Sequence, residues 1–250
     1  MQCILLAAGY ATRLYPLTEN LPKALLQLGD KTILDMVVEK IEAVAAVENI
    51  YIITNEKFYR QFSQWAQNYQ GNKKIKVLND HTTNNDNRLG AIGDLKYVID
   101  QEKIKDEILV MASDNIFDFS LCDFEKQYRE KKSDMICAHI IENKEELHTM
   151  GVVELDKNAK VISFEEKPEN PKSDWGVPPF YLYQAQTLPL IGQYLAEGNN
   201  PDAPGHFIPW LIAKKDVYAF TFDAVRIDIG TPESYYDACD RLKKGILFQK

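Results

Sequence analysis

The 250-residue chain has no apolar run that approaches the roughly 20 residues a membrane-spanning helix requires. Its apolar start, Met1 to Ala8, lacks a basic lead and stops at Gly9, so it reads as a first buried strand rather than a signal peptide. Cysteine is scarce: Cys3, Cys122, Cys137 and Cys239 are scattered, with no paired metal-type spacing. Buried, reduced thiols and a cytoplasmic setting are the expectation that follows. A positive charge balance is missing as well. With a net charge of −8, the chain is not expected to bind nucleic acid or a membrane surface. Any phosphate it binds must be met by a local cluster of Arg and Lys. What remains, 45% hydrophobic and 26% charged residues, is the composition of an ordinary globular protein.

The hydrophobic pattern alternates between periods of two and 3.6 residues. Gln2–Ala7 is a short apolar run of the kind a buried parallel strand shows. Ile33, Leu34, Val37, Val38, Ile41, Val44 and Ala45 recur at helical spacing, with Thr32 available as a cap. Strands are predicted at 49–54, 75–78 and 107–112, with helices near 56–69 and 90–98 between them. This βαβα succession predicts an α/β fold with parallel strands and helices on both faces of the sheet. Beyond residue 130 the pattern changes. Strands at 135–141, 151–155, 161–165 and 177–183 have short connections, so the sheet there is predicted to be mixed. Helices at 186–196 and 206–214, strands at 217–222 and 225–229, and a helix at 232–244 opened by Pro232 complete the reading. No linker, repeat or low-complexity segment divides the chain. The expectation is one domain over 1–250, with a nucleotide-binding half at 1–120 and a substrate half at 121–250.

The most informative stretch is Leu6-Ala-Ala-Gly-Tyr-Ala-Thr-Arg13, continuing through Pro16 and Pro22 to Lys23. Small residues directly after a strand let the backbone approach a ligand and turn its N–H groups toward phosphate. In open α/β sheets, ligand crevices lie at the carboxyl ends of strands, which is where this loop falls. Arg13 offers a planar fork to phosphate oxygens and Lys23 a compact point charge. Two aspartates stand in similar places: Asp114 in Ser113-Asp114-Asn115 and Asp228 in Arg226-Ile-Asp228-Ile-Gly-Thr-Pro. Alone, each is more often a turn-former or a helix cap. Together they supply the one or two carboxylates that Mg²⁺ takes beside phosphate oxygens and water.

The loop resembles the signature of the sugar-phosphate nucleotidyltransferases, Gly-x-Gly-Thr-Arg followed by Pro-Lys. This chain departs from it at Ala11, which replaces the second glycine; close approach of the backbone there calls for an ordinary φ at position 11. The resemblance implies a Rossmann-like three-layer αβα sandwich with a mixed, mainly parallel central sheet, of the GT-A-like nucleotide-diphospho-sugar transferase kind. It implies that Leu6, Ala7, Ala8, Gly9, Tyr10, Ala11, Thr12, Arg13 and Lys23 surround the nucleotide, with Arg13 steadying the departing pyrophosphate. Asp114 and Asp228 match the family's metal aspartates, Asp114 also serving the nucleotide. Asn87 and Gly90 stand where the family places a turn against the base. Phe164-Glu165-Glu166-Lys167-Pro168 resembles the family's Glu-Lys-Pro motif, which makes Lys167 a contact of the sugar 1-phosphate and Glu166 a partner of sugar hydroxyls. Gly151 and Val177 are implied to line the same pocket.

The resemblance thus implies an Mg²⁺-dependent enzyme in which Arg13, Lys23 and Lys167 serve catalysis. The expected substrates are an NTP, dTTP or UTP, and a sugar 1-phosphate, glucose 1-phosphate first. Two alternatives stay open: a cytidylyltransferase acting on phosphocholine or another non-sugar phosphate, and a non-catalytic subunit that binds nucleotide or sugar phosphate. A dinucleotide-dependent oxidoreductase is disfavoured, because the loop passes two prolines before its helix instead of opening one at once.

Overall fold

The computed structural model describes residues 1–223 and 225–249. Along the chain run β1 (Gln2–Leu6), β2 (Gln27–Leu28), β3 (Lys31–Thr32), α1 (Ile33–Glu42), β4 (Asn49–Thr54), α2 (Tyr59–Asn68), β5 (Lys74–Asn79), α3 (Ala91–Gln101), β6 (Ile108–Ala112), β7 (Asn115–Phe117), α4 (Leu121–Lys131), β8 (Asp134–Ile140), β9 (Gly151–Leu155), β10 (Val161–Glu166), β11 (Trp175–Val177), β12 (Phe180–Tyr183), α5 (Leu188–Ala196), α6 (Phe207–Ile212), β13 (Val217–Thr221), β14 (Arg226–Asp228) and α7 (Pro232–Lys243). Among the described residues, no helix is long and apolar enough to cross a membrane.

The chain gathers into two compact units, each drawn from three segments. The first comprises Met1–Ile4, Leu89–Met111 and Cys122–Asp223. Its strands follow the order β10-β9-β11-β8-β12-β6, with antiparallel pairing from β10 through to β6 and β13 added in parallel to β8. The expected strand at 177–183 is two strands: Pro178 and Pro179 lack the N–H a ladder needs, so β11 ends before them and β12 begins after. Helix α4 was not expected. Its buried stripe, Leu121, Phe124 and Tyr128, is narrow and interrupted by charged residues, which weakens the sequence signal. Cys122 on α4 is exposed, against the expectation for thiols; Cys3 and Cys137 are fully buried.

A buried charge organises this unit. Asp134, at the start of β8, has no exposed surface and accepts from the backbone N–H of Gln184 at 2.7 Å and from Thr187 Oγ1 at 2.7 Å. Lys215 Nζ, just after α6, stands 2.9 Å from the same carboxylate. Desolvation pushes the Asp134 carboxyl above its ordinary range, while the hydrogen bonds and Lys215 pull the other way.

The second unit comprises Leu5–Arg88, Ala112–Leu121 and Ala224–Lys250. β4 and β5 pair in parallel from Asn49↔Lys74 to Thr54↔Asn79. Helix α1 carries the predicted cap as a full box: Asp35 N donates to Thr32 Oγ1 at 3.1 Å, and Thr32 N donates to Asp35 Oδ2 at 2.7 Å. Its predicted face, Ile33, Leu34, Val37, Val38 and Ile41, is buried. Thr231 caps α7 in the same way with Ser234, and Pro232 occupies the first turn as expected.

The loop after β1 departs from expectation at one residue. Ala11 has φ 47° and ψ 41°, the left-handed conformation, so the backbone keeps a glycine-type path although an alanine stands there. Thr18 Oγ1 donates to Ala11 O at 2.7 Å and the Leu14 N–H to the same oxygen at 3.0 Å, which hold the residue in place. For an L-residue this conformation costs on the order of 1–2 kcal/mol.

Two outcomes follow. Ala11→Gly should raise the thermal midpoint by about 2–4 °C, since relief of about 1 kcal/mol shifts a chain of this size by that amount. A lower midpoint in calorimetry would mean that position 11 does not hold the left-handed backbone in solution. Asp134→Ala should cost about 3–5 kcal/mol, because Lys215 is left without its buried partner, and lower the midpoint by roughly 10 °C. A shift of only a degree or two would show the pair to be dispensable.

Candidate nucleotide and sugar-phosphate sites

In the second unit, four backbone groups at the end of β1 and just after it are tied down by their neighbours. Ser113 N donates to Leu6 O at 3.1 Å and Ala7 N donates to Ile53 O at 2.9 Å. The Ala7 and Ala8 carbonyls accept from Thr54 Oγ1 at 3.2 Å and from Asn55 Nδ2 at 2.9 Å. Asn55 is fully buried and also receives Phe58 N at the start of α2. Neither Thr54 nor Asn55 was singled out in the sequence, where a polar pair at a strand end carries no distinguishing signal. Past these anchors Gly9 is exposed, and the space its side chain would take is open.

Lys23 and Asp114, 91 positions apart by number, meet in a cleft of about 170 Å³ that Gly9, Ala11 and Arg13 also line. Lys23 Nζ lies 3.0 Å from Asp114 Oδ2, with side-chain exposures of 12% and 30%. Asn115 Nδ2 donates to Asp114 Oδ1 at 3.0 Å. The short ribbon of β7 and β14 pairs Asp228 with Asn115, so the backbone of the second aspartate sits beside that of the first. The side chain of Asp228 lies outside the described residues. Asp118, which reads in the sequence as an ordinary surface residue, is half-buried and extends this ribbon. Its carboxylate accepts Val225 N at 2.8 Å and its N–H donates to Val225 O at 3.2 Å. Among the described residues, no group of three or more His, Cys, Asp or Glu stands ready to hold a metal.

The two residues expected against the base are engaged within the protein. Asn87 accepts the N–H groups of Thr83 at 3.0 Å and Asn84 at 3.2 Å and donates to Thr83 Oγ1 at 3.1 Å. Gly90, in the first unit, has φ 76° and opens α3; a Cβ there would stand 2.5 Å from the Pro201 carbonyl oxygen. That close approach lets Ala91 N and Ile92 N donate to Asp202 O and Pro201 O at 3.1 and 2.9 Å, satisfying the exposed end of the helix.

The residues expected on the acceptor side lie in the first unit and form one row across the sheet. Gly151 at the start of β9 is flanked by Glu166 of β10 on one side and Val177 of β11 on the other. A side chain at Gly151 would strike the ring of Phe164, so glycine is required for the sheet to pack there. Ile141, Leu147, Met150 and Val152 form a buried apolar cluster in the same unit. Lys167 follows the row with φ 50°, a conformation rare for a non-glycine residue, and its N–H donates to Met150 O at 3.0 Å. Burial raises the Glu166 carboxyl above its usual range; Lys167 opposes the shift and Asp202 adds to it. The short segment at 200–206 was not foreseen. Gly205 packs against the Glu166 carboxylate, and Asn200 Nδ2 lies 3.1 Å from His206 Nε2.

Residues 2–245 match the family profile described as nucleotidyl transferase. The chain is 27% identical to the bifunctional protein GlmU of Methanococcus aeolicus, over 98% of this chain and 55% of that protein. It thus spans about half the length of the GlmU relatives it matches. It is also 26% identical to the UTP–glucose-1-phosphate uridylyltransferase AglF of Haloferax volcanii, covering 98% of this chain and 97% of that one. Among solved structures, a UDP-glucose pyrophosphorylase complexed with UDP-glucose superposes with a TM-score of 0.82 at 19% identity, over 98% of both chains. The likeness supports the expected fold, a mixed sheet with flanking helices. By its profile match over nearly all of its length, the chain belongs to the nucleotidyl transferase family.

Proposed function

We propose that this chain condenses an NTP with a sugar 1-phosphate, releasing pyrophosphate and forming an NDP-sugar. The observation that carries this reading is the meeting of the small-residue loop, Arg13, Lys23 and Asp114 in one cleft, in a member of this family. UTP or dTTP is the nucleotide and glucose 1-phosphate the first acceptor. The likeness to AglF, a UTP–glucose-1-phosphate uridylyltransferase matched over nearly the whole of both chains, supports uridylyl transfer to glucose 1-phosphate.

In this reading a phosphate oxygen of the acceptor attacks the α-phosphorus in line, and pyrophosphate departs opposite. Such transfers need little covalent help, so the protein contributes position and charge. The tied backbone of Leu6–Ala8 holds the loop in place, and the open flank of Gly9 receives phosphate. Arg13 steadies the leaving pyrophosphate and Lys23 the α-phosphate. Lys167 and Glu166 hold the acceptor, by its phosphate and its hydroxyls, with Gly151 and Val177 beside them. Asp114 and Asp228, hard oxygen donors on neighbouring backbone positions because Asp228 pairs with Asn115, fit Mg²⁺, which when bound would offset phosphate charge.

The deciding assay is pyrophosphate release, crossing dTTP, UTP, CTP, GTP and ATP with a panel of sugar 1-phosphates and phosphocholine, with Mg²⁺ and with EDTA. Turnover with UTP or dTTP and glucose 1-phosphate, lost in EDTA, is expected. Activity on phosphocholine alone would move the chain to a non-sugar acceptor. Nucleotide binding without turnover would make it a regulatory protein. The raised Glu166 carboxyl adds a pH signature. As pH falls, Glu166 takes up a proton earlier than an ordinary glutamate and loses the charge that makes its carboxylate a strong acceptor for hydroxyl groups. The ratio of KM for the acceptor in Glu166→Gln to that in the wild type should be several-fold at pH 8. It should shrink toward one while pH is still above the ordinary glutamate range of about 4.3. A ratio independent of pH would remove Glu166 from the acceptor site.

A further inference from the structure

The loop after β1 borders two cavities. One face lines the cleft of Lys23 and Asp114; the other lines a second cavity of about 280 Å³ to which Asn85 and Arg88 also contribute. Gly9, Ala11 and Arg13 line both. Arg88 reaches the second cavity on a segment that is braced along its length. Asp80 Oδ1 accepts Thr82 N at 2.7 Å and Thr82 Oγ1 at 2.8 Å, and Thr82 O accepts Glu56 N at 3.0 Å. Farther on, Asn84 Oδ1 accepts Asp86 N at 2.8 Å and Asn87 N at 3.2 Å, while Asn87 Oδ1 accepts Thr83 N at 3.0 Å and Asn84 N at 3.2 Å. A segment tied in this way presents its arginine with little ordering left to do when a ligand arrives.

We propose that Arg88 and Arg13 form a clamp in the second cavity for the pyrophosphate end of the nucleotide, before transfer and after it. The inference rests on the nucleotidyltransferase reading and adds a residue to it. Its physical basis is charge. The Lys23 ammonium is engaged by Asp114 in the first cleft, and the chain as a whole carries a net charge of −8. The terminal phosphoryl groups of a triphosphate concentrate negative charge that a single arginine offsets only in part. Two guanidinium forks lining one cavity meet their oxygens with charge-assisted, bidentate geometry. In the reaction, the bond from the α-phosphorus to the α–β bridging oxygen breaks as the acceptor oxygen bonds to that phosphorus. The electron pair stays on the bridging oxygen, which leaves within the pyrophosphate that the clamp holds.

The test is calorimetric titration of pyrophosphate with Mg²⁺ into the wild type, Arg88→Ala and Arg88→Lys. The nucleoside monophosphate of the base found in the substrate panel serves as a second ligand. Arg88→Ala should weaken pyrophosphate binding about tenfold or more, as loss of charge-assisted hydrogen bonds does, and Arg88→Lys should fall between. Monophosphate affinity should stay within about twofold, a split that general damage to the loop would not produce. Unchanged pyrophosphate affinity in Arg88→Ala, no pyrophosphate binding by the wild type, or equal weakening of both ligands would overturn the clamp. Arg88-dependent pyrophosphate binding in a protein that turns over no acceptor would instead overturn the proposed reaction and leave the clamp standing.

Discussion

The 3.0 Å pair between Lys23 and Asp114 is the contact on which the candidate nucleotide cleft depends. Lys23 is nearly covered, and an ammonium so placed without a counter-charge would cost several kcal/mol in desolvation. Asp114 meets that charge, and Asn115 in turn engages the other carboxylate oxygen. The pair fastens the long excursion after β1 to the strand end that follows β6. It also gathers both signs of charge in one place, in a chain whose overall charge would repel a polyanion. The cations that line the cleft are thus a local concentration of positive charge, set against the global field.

Around that contact, the loop spends conformational energy where close approach requires it. The Leu6–Ala8 backbone is held from both sides by strand ends and by the buried Asn55. Ala11 and Lys167, one in each unit, both hold positive φ, and both belong to the motifs that carry the family resemblance. Strained residues persist where surrounding bonds over-determine them, and here Thr18 and Met150 supply those bonds. For the residues expected to meet the acceptor the arrangement is simpler: sheet register alone brings Glu166, Gly151 and Val177 into one row.

Much of this was legible beforehand because it is local. Strand β4 and helix α1 fall where periodicity puts them, and Thr32 caps α1 as its place before an apolar helical stripe suggests. Pro178 and Pro179 were visible too, yet a single strand was expected across them; their missing N–H groups end β11 and delay β12. Helix α4 escaped because its three-residue apolar stripe sits among charges that mask the period. Asp118 and Asn55 escaped for another reason. Each is a polar residue whose role depends on a backbone group far away in sequence, Val225 in one case and Ala8 in the other.

The sequence by itself determined the kind of elements, the caps, the small-residue loop after the first strand and the identity of the charged residues, because these follow from spacing and side-chain chemistry within a few positions. Tertiary structure alone decided which of those residues share a place. It paired Lys23 with Asp114, set Asp228 opposite Asn115, closed Gly90 against Pro201 and brought Arg88 to the cavity of Arg13. It also decided that Ala11 takes the left-handed backbone a glycine would hold. The reason is the same throughout: propensity acts over a turn or a strand, whereas a charge, a carbonyl or a φ angle is settled by whatever the fold packs against it.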